Sequence, residues 1–199
     1  MKHFVITIGR EFGSGGLEIG KEVARQLGVK CYDNDLVNKL AEKLGISRDV
    51  LENIEESRTH LRYTVDTKYG YRNISMMDKM IQAQSEIIQE IAEKESCVIV
   101  GRCGDFVLQN RKDILTVFIY ASEQYRLKRI MESREWNVEQ ASKMLYQTEH
   151  QRRAYYKYVT GRDQTTRIGR HLMLDSGVLG QELTTRLIVE AARERFKDA

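Results

Sequence analysis

The chain has 199 residues, with 32 Lys and Arg against 29 Asp and Glu for a net charge of +3. That length suits one domain, and a balance so near neutral argues against an extended nucleic-acid surface. Three scattered cysteines, at 31, 97 and 103, suit reduced thiols in or near a core better than a disulfide framework, and no apolar run nears the roughly 18 residues of a membrane span. A cytoplasmic protein without membrane or nucleic-acid partners is the expectation. There is no proline, so helices must end on glycine or on polar caps.

Residues 3–8, HFVITI, read as a first strand, followed by the glycine turn Gly13-Ser14-Gly15-Gly16. Leu17, Ile19, Val23, Ala24 and Leu27 then recur at helical spacing, and Gly28 ends that helix. Residues 29–33 read as a second strand and 35–44 as a helix closed by Gly45, with Asp35 its expected cap. From Ser47 to about Glu95 the pattern is helical, with a tyrosine-rich interruption over residues 60–75. Strands follow at 97–101 and 114–120, the latter a near-continuous apolar run expected of a strand covered on both faces. Ser122 caps a helix carrying Tyr125, Leu127, Ile130 and Met131, and another helix runs from about Val138 into Tyr155, Tyr156 and Tyr158. A last strand, 171–175, leads through Gly177 and Gly180 into a terminal helix. The alternation predicts an α/β fold with a parallel sheet between helical layers.

A glycine turn between strand and helix directs backbone N–H groups at one point, with the positive end of the helix dipole behind them. Phosphate is the natural occupant. The usual signature adds a lysine and a Ser/Thr, G-x-x-x-x-G-K-[ST], because the ammonium neutralises β/γ oxygens and the hydroxyl reaches magnesium. Here Gly16 stands at the lysine position, Leu17 and Glu18 follow, and Lys21 is more than a helical turn away. Arg10, just before the turn, is a cation within reach. Taken alone, the turn also suits close packing of strand on helix.

The segments TIGREFGSGGLEIGKEVARQLG, CYDNDL, VIVGRCGDFVL, VFIYASEQYRLKRI and HLMLDSGVLG, in this order, resemble the cytidylate kinase-like family. The resemblance implies a three-layer P-loop kinase fold. Its core would span 1–45 and 96–199, with a helical monophosphate-binding insertion over about 46–95 and a lid over about 132–167. It implies ATP and Mg2+ as cofactors, and phosphoryl transfer to a nucleoside monophosphate such as CMP or dCMP. Gly13, Ser14, Gly15 and Gly16 match the family's phosphate loop, whose members also carry GSGG. Tyr32-Asp33 resembles an acidic strand end near the transfer centre. Gly101-Arg102 resembles the G-R-D whose arginine binds the acceptor phosphate, with Cys103 in the aspartate's place and Asp105 a substitute carboxylate. Arg126, Lys128 and Arg129 resemble the approach to the lid, and Arg152-Arg153 its later basic pair.

The residues agree with that assignment. Phosphoryl transfer relies on positioning and on cations around the transferring oxygens. Arg10, Asp33, Arg102, Arg126 and Arg129 are the expected catalytic set; Gly13 to Gly16, Arg152 and Arg153 are expected to hold the nucleotide. Arg152, Arg153, Arg162, Arg167 and Arg170 fall within 19 residues; each singly suits a solvent face, and together they supply phosphate clamps. Tyr63, Tyr69, Tyr71 and Arg72 suit either an acceptor pocket or a self-packed loop. His3, His60, His150 and His171 have no metal-ligand spacing, and no metal site of protein ligands is expected. The competing expectation is a nucleotide-binding or sensing protein that has lost kinase activity with the loop lysine.

Overall fold

The β-branched amino-terminal run forms β1, Val5–Arg10, which extends two residues beyond the strand expected at 3–8 because Gly9 and Arg10 pair with Phe118 and Ile119. The structure, a computed structural model, describes residues 3–45 and 76–197. The elements after β1 are α1 (Gly16–Leu27), β2 (Lys30–Tyr32), α2 (Asn34–Leu44) and α3 (Met76–Lys94). Then come β3 (Cys97–Val100), α4 (Gly104–Val107), β4 (Ile114–Tyr120), α5 (Glu123–Arg134), α6 (Val138–Thr160), β5 (Leu172–Asp175) and α7 (Ser176–Arg195). The strands form one parallel sheet in the order β2-β3-β1-β4-β5.

Strand alternation divides the core into two faces. Val5, Cys97 and Ile99 pack with Leu36 and Leu40 of α2 and Ile88 of α3. Ile6, Ile8, Val98, Val100, Val117 and Ile119 turn the other way, onto Ile19 and Val23 of α1 and Ile188 and Val189 of α7. Each fully buried Val or Ile contributes about 1.5–3 kcal/mol, so the three layers follow from a sheet apolar on both sides. Cys97 and Cys103 are buried and Cys31 half-buried.

The ends of the elements follow the local chemistry. Gly28, Gly45 and Gly161 close α1, α2 and α6 in the left-handed conformation. Ser122 Oγ accepts the Tyr125 N–H at the start of α5, and Asn137 with Gln140 forms a capping box on α6. Beyond strand ends that move by one or two residues, three features differ from expectation. α2 begins at Asn34, so Asp33 holds the cap position and Asp35 lies inside the first turn. The short helix α4 was not foreseen, because four residues are too few for a periodic signal. The terminal helix starts at Ser176, where Asp175 accepts the Gly177 and Val178 N–H groups, and it breaks at Gly180, φ 73°.

α5 and α6 pack through Ile130, Ala141 and Leu145, with Phe12 of the glycine turn against the same cluster. This joins the region expected as a lid to the turn. No helix among the described residues is long and apolar enough to cross a membrane.

Candidate active site

The glycine turn is anchored at several points. The Glu11 N–H donates to the Ile119 carbonyl, and Ser14, fully buried, donates its hydroxyl to the Glu11 carbonyl at 2.9 Å. Ser176 donates its hydroxyl to the Ser14 carbonyl at 2.6 Å. Gly13 (φ 82°) and Gly15 (φ 79°) adopt the left-handed backbone that side chains disfavour, and a Cβ on Gly13 would lie 2.9 Å from the Arg126 carbonyl. Gly15 is the cap of α1, so the first N–H groups of that helix have no intrahelical acceptor. A ring of backbone donors and a helix dipole therefore converge at the turn.

Three arginines gather beside it. Arg10 is the last residue of β1, Arg102 follows β3, and Arg152 lies on α6; all stand at or over the carboxyl ends of parallel strands, where ligands of such sheets collect. Arg152 Nη1 approaches the Arg10 carbonyl at 3.5 Å, and its guanidinium covers the Phe12 ring at 5.3 Å. Burial, reinforced by Arg152, holds Arg10 down to about 9, with Asp33 opposing and Arg102 adding to the depression. Burial also lowers Arg152, while Glu149 and Asp33 oppose it and Arg102 adds to it. Asp33, which makes no capping bond to α2, is a carboxylate near both Arg10 and Arg152, and Glu149 lies beside Arg152 as well. At neutral pH such a cluster calls for an anion.

The backbone beneath Arg102 is unusual. Gly101, Arg102 and Cys103 have φ of 78°, 56° and 54°, and each non-glycine residue in that region costs about 1–2 kcal/mol. Such strain persists where the surroundings over-determine it, and here Gln84 donates to the Arg102 carbonyl at 3.2 Å. The Gln84 amide also donates to the Tyr155 hydroxyl of α6 at 2.8 Å.

The remaining expected residues divide. Arg126 is 12 % exposed and faces Glu11 (3.4 Å) and Glu149 (3.6 Å), while donating to the Ala121 and Phe12 carbonyls. Glu149 also accepts the Phe12 N–H. Burial raises Glu11 above the ordinary carboxylate value, with Arg126 opposing. This network braces the turn. Arg129, one turn along α5, lies against Gly15: a Cβ there would be 3.4 Å from its guanidinium carbon. Its Nη atoms lie 2.6 and 2.9 Å from the Gln181 side-chain amide, which accepts from them when its oxygen is turned to face the guanidinium. Arg153 is exposed, and Lys128 pairs loosely with Glu132 on the surface.

Two residues take places that sequence reading did not give them. Asp105 forms a 2.6 Å ion pair with Arg170 and accepts the Tyr156 hydroxyl at 2.7 Å. Arg170, expected on a solvent face, is 1 % exposed, with its guanidinium over the Phe118 and Tyr156 rings. Burial, with the Asp105 charge, pushes the Tyr156 phenol up. Gln84, Gln181 and the three α6 tyrosines carried no sequence signal, because a polar residue in an amphipathic helix looks the same whether it meets solvent or a partner. Tyr63, Tyr69, Tyr71, Arg72 and His60 lie outside the described residues.

The donor set fits a polyphosphate, which backbone N–H groups and guanidinium groups bind. No group of three or more His, Cys, Asp or Glu among the described residues could hold a metal ion. Mg2+ arriving on a nucleotide requires only one or two carboxylates besides phosphate and water, and Asp33 is a carboxylate beside Arg10 and Arg152. A separate cleft of about 350 Å3 between α2 and α3 contains no residue of the turn or the arginine cluster, and its Lys30 and Lys43 pair with Glu95 and Glu90.

The family model described as the cytidylate kinase-like family matches residues 5–178. A cytidylate kinase from Methanopyrus kandleri is 22% identical over 196 residues, covering 94% of this chain and 92% of its own length. An uncharacterized protein from Eubacterium ventriosum ATCC 27560 has a crystal structure with a TM-score of 0.71 at 21% identity, covering 95% of this chain and 98% of that one. Shikimate kinase from Bacteroides thetaiotaomicron has a TM-score of 0.54 at 14% identity, with 98% of each chain covered. The likeness establishes a P-loop kinase fold, with a five-stranded parallel sheet between helical layers.

Proposed function

The chain belongs to the cytidylate kinase-like family, and on that premise we propose that it transfers the terminal phosphoryl group of ATP to a nucleoside monophosphate such as CMP or dCMP. The observation that carries this reading is the convergence of Arg10, Arg102 and Arg152 beside a turn of backbone donors, with Asp33 near Arg10 and Arg152. One triphosphate and one monophosphate bring more negative charge than the turn alone would meet, and three guanidinium groups supply the complement.

In this reading the Gly13 to Gly16 turn binds the donor phosphates, Arg102 the acceptor phosphate, and Arg152 closes from α6 over both. Arg129 reaches the turn from the Gly15 side, Arg153 supplies a further cation at the rim, and Arg126 holds the turn in shape. Residues 46–95 and 132–167 serve as monophosphate-binding insertion and lid. An acceptor phosphate oxygen attacks the γ-phosphorus while the bond to the β–γ bridging oxygen breaks, leaving ADP. That oxygen is already ionised at neutral pH, since the second phosphate pKa is about 6, so no general base is needed. Asp33 then serves to orient and to balance charge. Mg2+, when bound, neutralises the β and γ oxygens.

The test is ADP release from ATP and Mg2+ with CMP, dCMP, UMP, AMP or GMP supplied singly, beside Arg102→Ala. Acceptor-dependent release that falls about 100-fold or more in the variant supports the reading and names the acceptor. ATP binding with no acceptor-dependent release for any of the five would favour a nucleotide-binding protein that does not turn over.

A further inference from the structure

The position at which a phosphate loop ordinarily carries lysine is Gly16, yet nothing in its backbone calls for glycine. Gly16 is the first residue of α1 and lies outside the left-handed region occupied by Gly13 and Gly15. The requirement is one of space. A Cβ on Gly16 would stand 2.6 Å from Arg10 Cβ and 3.0 Å from Arg10 Cγ. The Cβ cannot swing away, because the Arg10 backbone is held in the sheet by its pairing with Ile119. At the far end of the same side chain, a Cβ on Gly101 would stand 1.8 Å from Arg10 Nη1 and 2.7 Å from its Cζ. Two glycines, from different elements, thus bracket one arginine, one under its stem and one under its head.

We infer that Arg10 replaces the loop lysine, and that Gly16 is glycine because the arginine stem crosses the space a side chain at that position would fill. The cation enters from the strand before the turn, not from the helix after it. The inference rests on the phosphoryl-transfer reading for its function, while its steric half stands on geometry alone. Arg10 is better placed than Arg129, the arginine against Gly15. Its stem lies against Gly16 of the turn and its guanidinium against Gly101, whereas Arg129 is engaged by Gln181 and approaches Glu18 at 3.9 Å.

The steric half is tested by thermal melts of a double-mutant cycle with Gly16→Ala and Arg10→Gly; glycine is used at 10 because Arg10 Cβ is itself the nearest atom. Alanine is the better helix former, so Gly16→Ala is expected to raise Tm in the Arg10→Gly background and to lower it beside Arg10. A rise in both backgrounds overturns the inference. The functional half uses Arg10→Met, which keeps the stem and removes the charge. Binding of ATP with Mg2+, and of inorganic tripolyphosphate, is expected to weaken at least tenfold with Tm retained. The exchange Arg10→Gly/Gly16→Lys is expected to bind more tightly than Arg10→Gly alone. Wild-type protein with no affinity for either ligand overturns the phosphoryl-transfer reading and the role of Arg10 with it. Wild-type affinity that survives in Arg10→Met overturns the inference alone.

Discussion

Gln84 on α3 donates its side-chain amide to the hydroxyl of Tyr155 on α6 at 2.8 Å. The second donor of the same amide holds the Arg102 carbonyl, so one buried residue ties the proposed lid helix to the strained turn that presents Arg102. Gln84→Leu removes both hydrogen bonds, at a cost of about 1–3 kcal/mol. Under the proposed function, Gln84 is a positioning residue. The variant is expected to raise KM for the acceptor severalfold with a smaller change in kcat, and to melt a few degrees lower. Steady-state kinetics with the acceptor varied check this, and an unchanged KM would leave Gln84 a purely structural residue.

The buried pair Asp105–Arg170 gives a stability prediction. Removing one partner strands the other charge where Arg170 is 1 % and Asp105 10 % exposed. Asp105→Asn or Arg170→Leu is therefore expected to cost about 3–5 kcal/mol in denaturant unfolding. Asp105→Leu/Arg170→Met, which removes both charges, is expected to be milder than either single variant.

His171 predicts an acid dependence. Its ring Nδ1 accepts the Thr116 N–H at 3.0 Å, and the His171 backbone N–H donates to the Thr116 carbonyl at 2.9 Å, joining the entry of β5 to β4. Burial, aided by Arg195, lowers its pKa from the ordinary 6.5. A depressed folded-state pKa means the unfolded chain binds the proton more readily. The stabilisation is complete above 6.5 and is lost as pH falls through the folded value. Melts from pH 7.5 to 5 should show a fall in Tm below 6.5 whose His171 part is absent from His171→Asn.

Gly13→Ala tests the turn itself. A Cβ there meets the Arg126 carbonyl at 2.9 Å in a left-handed backbone, a cost of about 1–2 kcal/mol from the conformation alone. The expected result is a lower melting temperature together with loss of tripolyphosphate binding by calorimetry.

Much of the fold was legible in one dimension. Every strand appeared near its expected place because β-branched runs alternate their side chains between two faces, and both faces of this sheet are covered. Gly28, Gly45 and Ser122 marked helix ends through local chemistry that acts within a few residues. The site was less legible. Arg126 and Arg129 sit three residues apart on one helix, yet one is enclosed by Glu11 and Glu149 and the other lies against Gly15. Nothing within α5 distinguishes them, because the distinguishing groups come from the turn and from α6.

The sequence by itself determined the order of elements, the parallel sheet, the glycine turn and the family, all of which rest on short-range patterns or on their order along the chain. Tertiary structure alone decided that Asp105 and Arg170 are a buried pair, that Gln84 supports Arg102, and that Gly16 yields its space to Arg10. Each of these depends on the approach of side chains from separate elements, and such distances are set only when the layers pack.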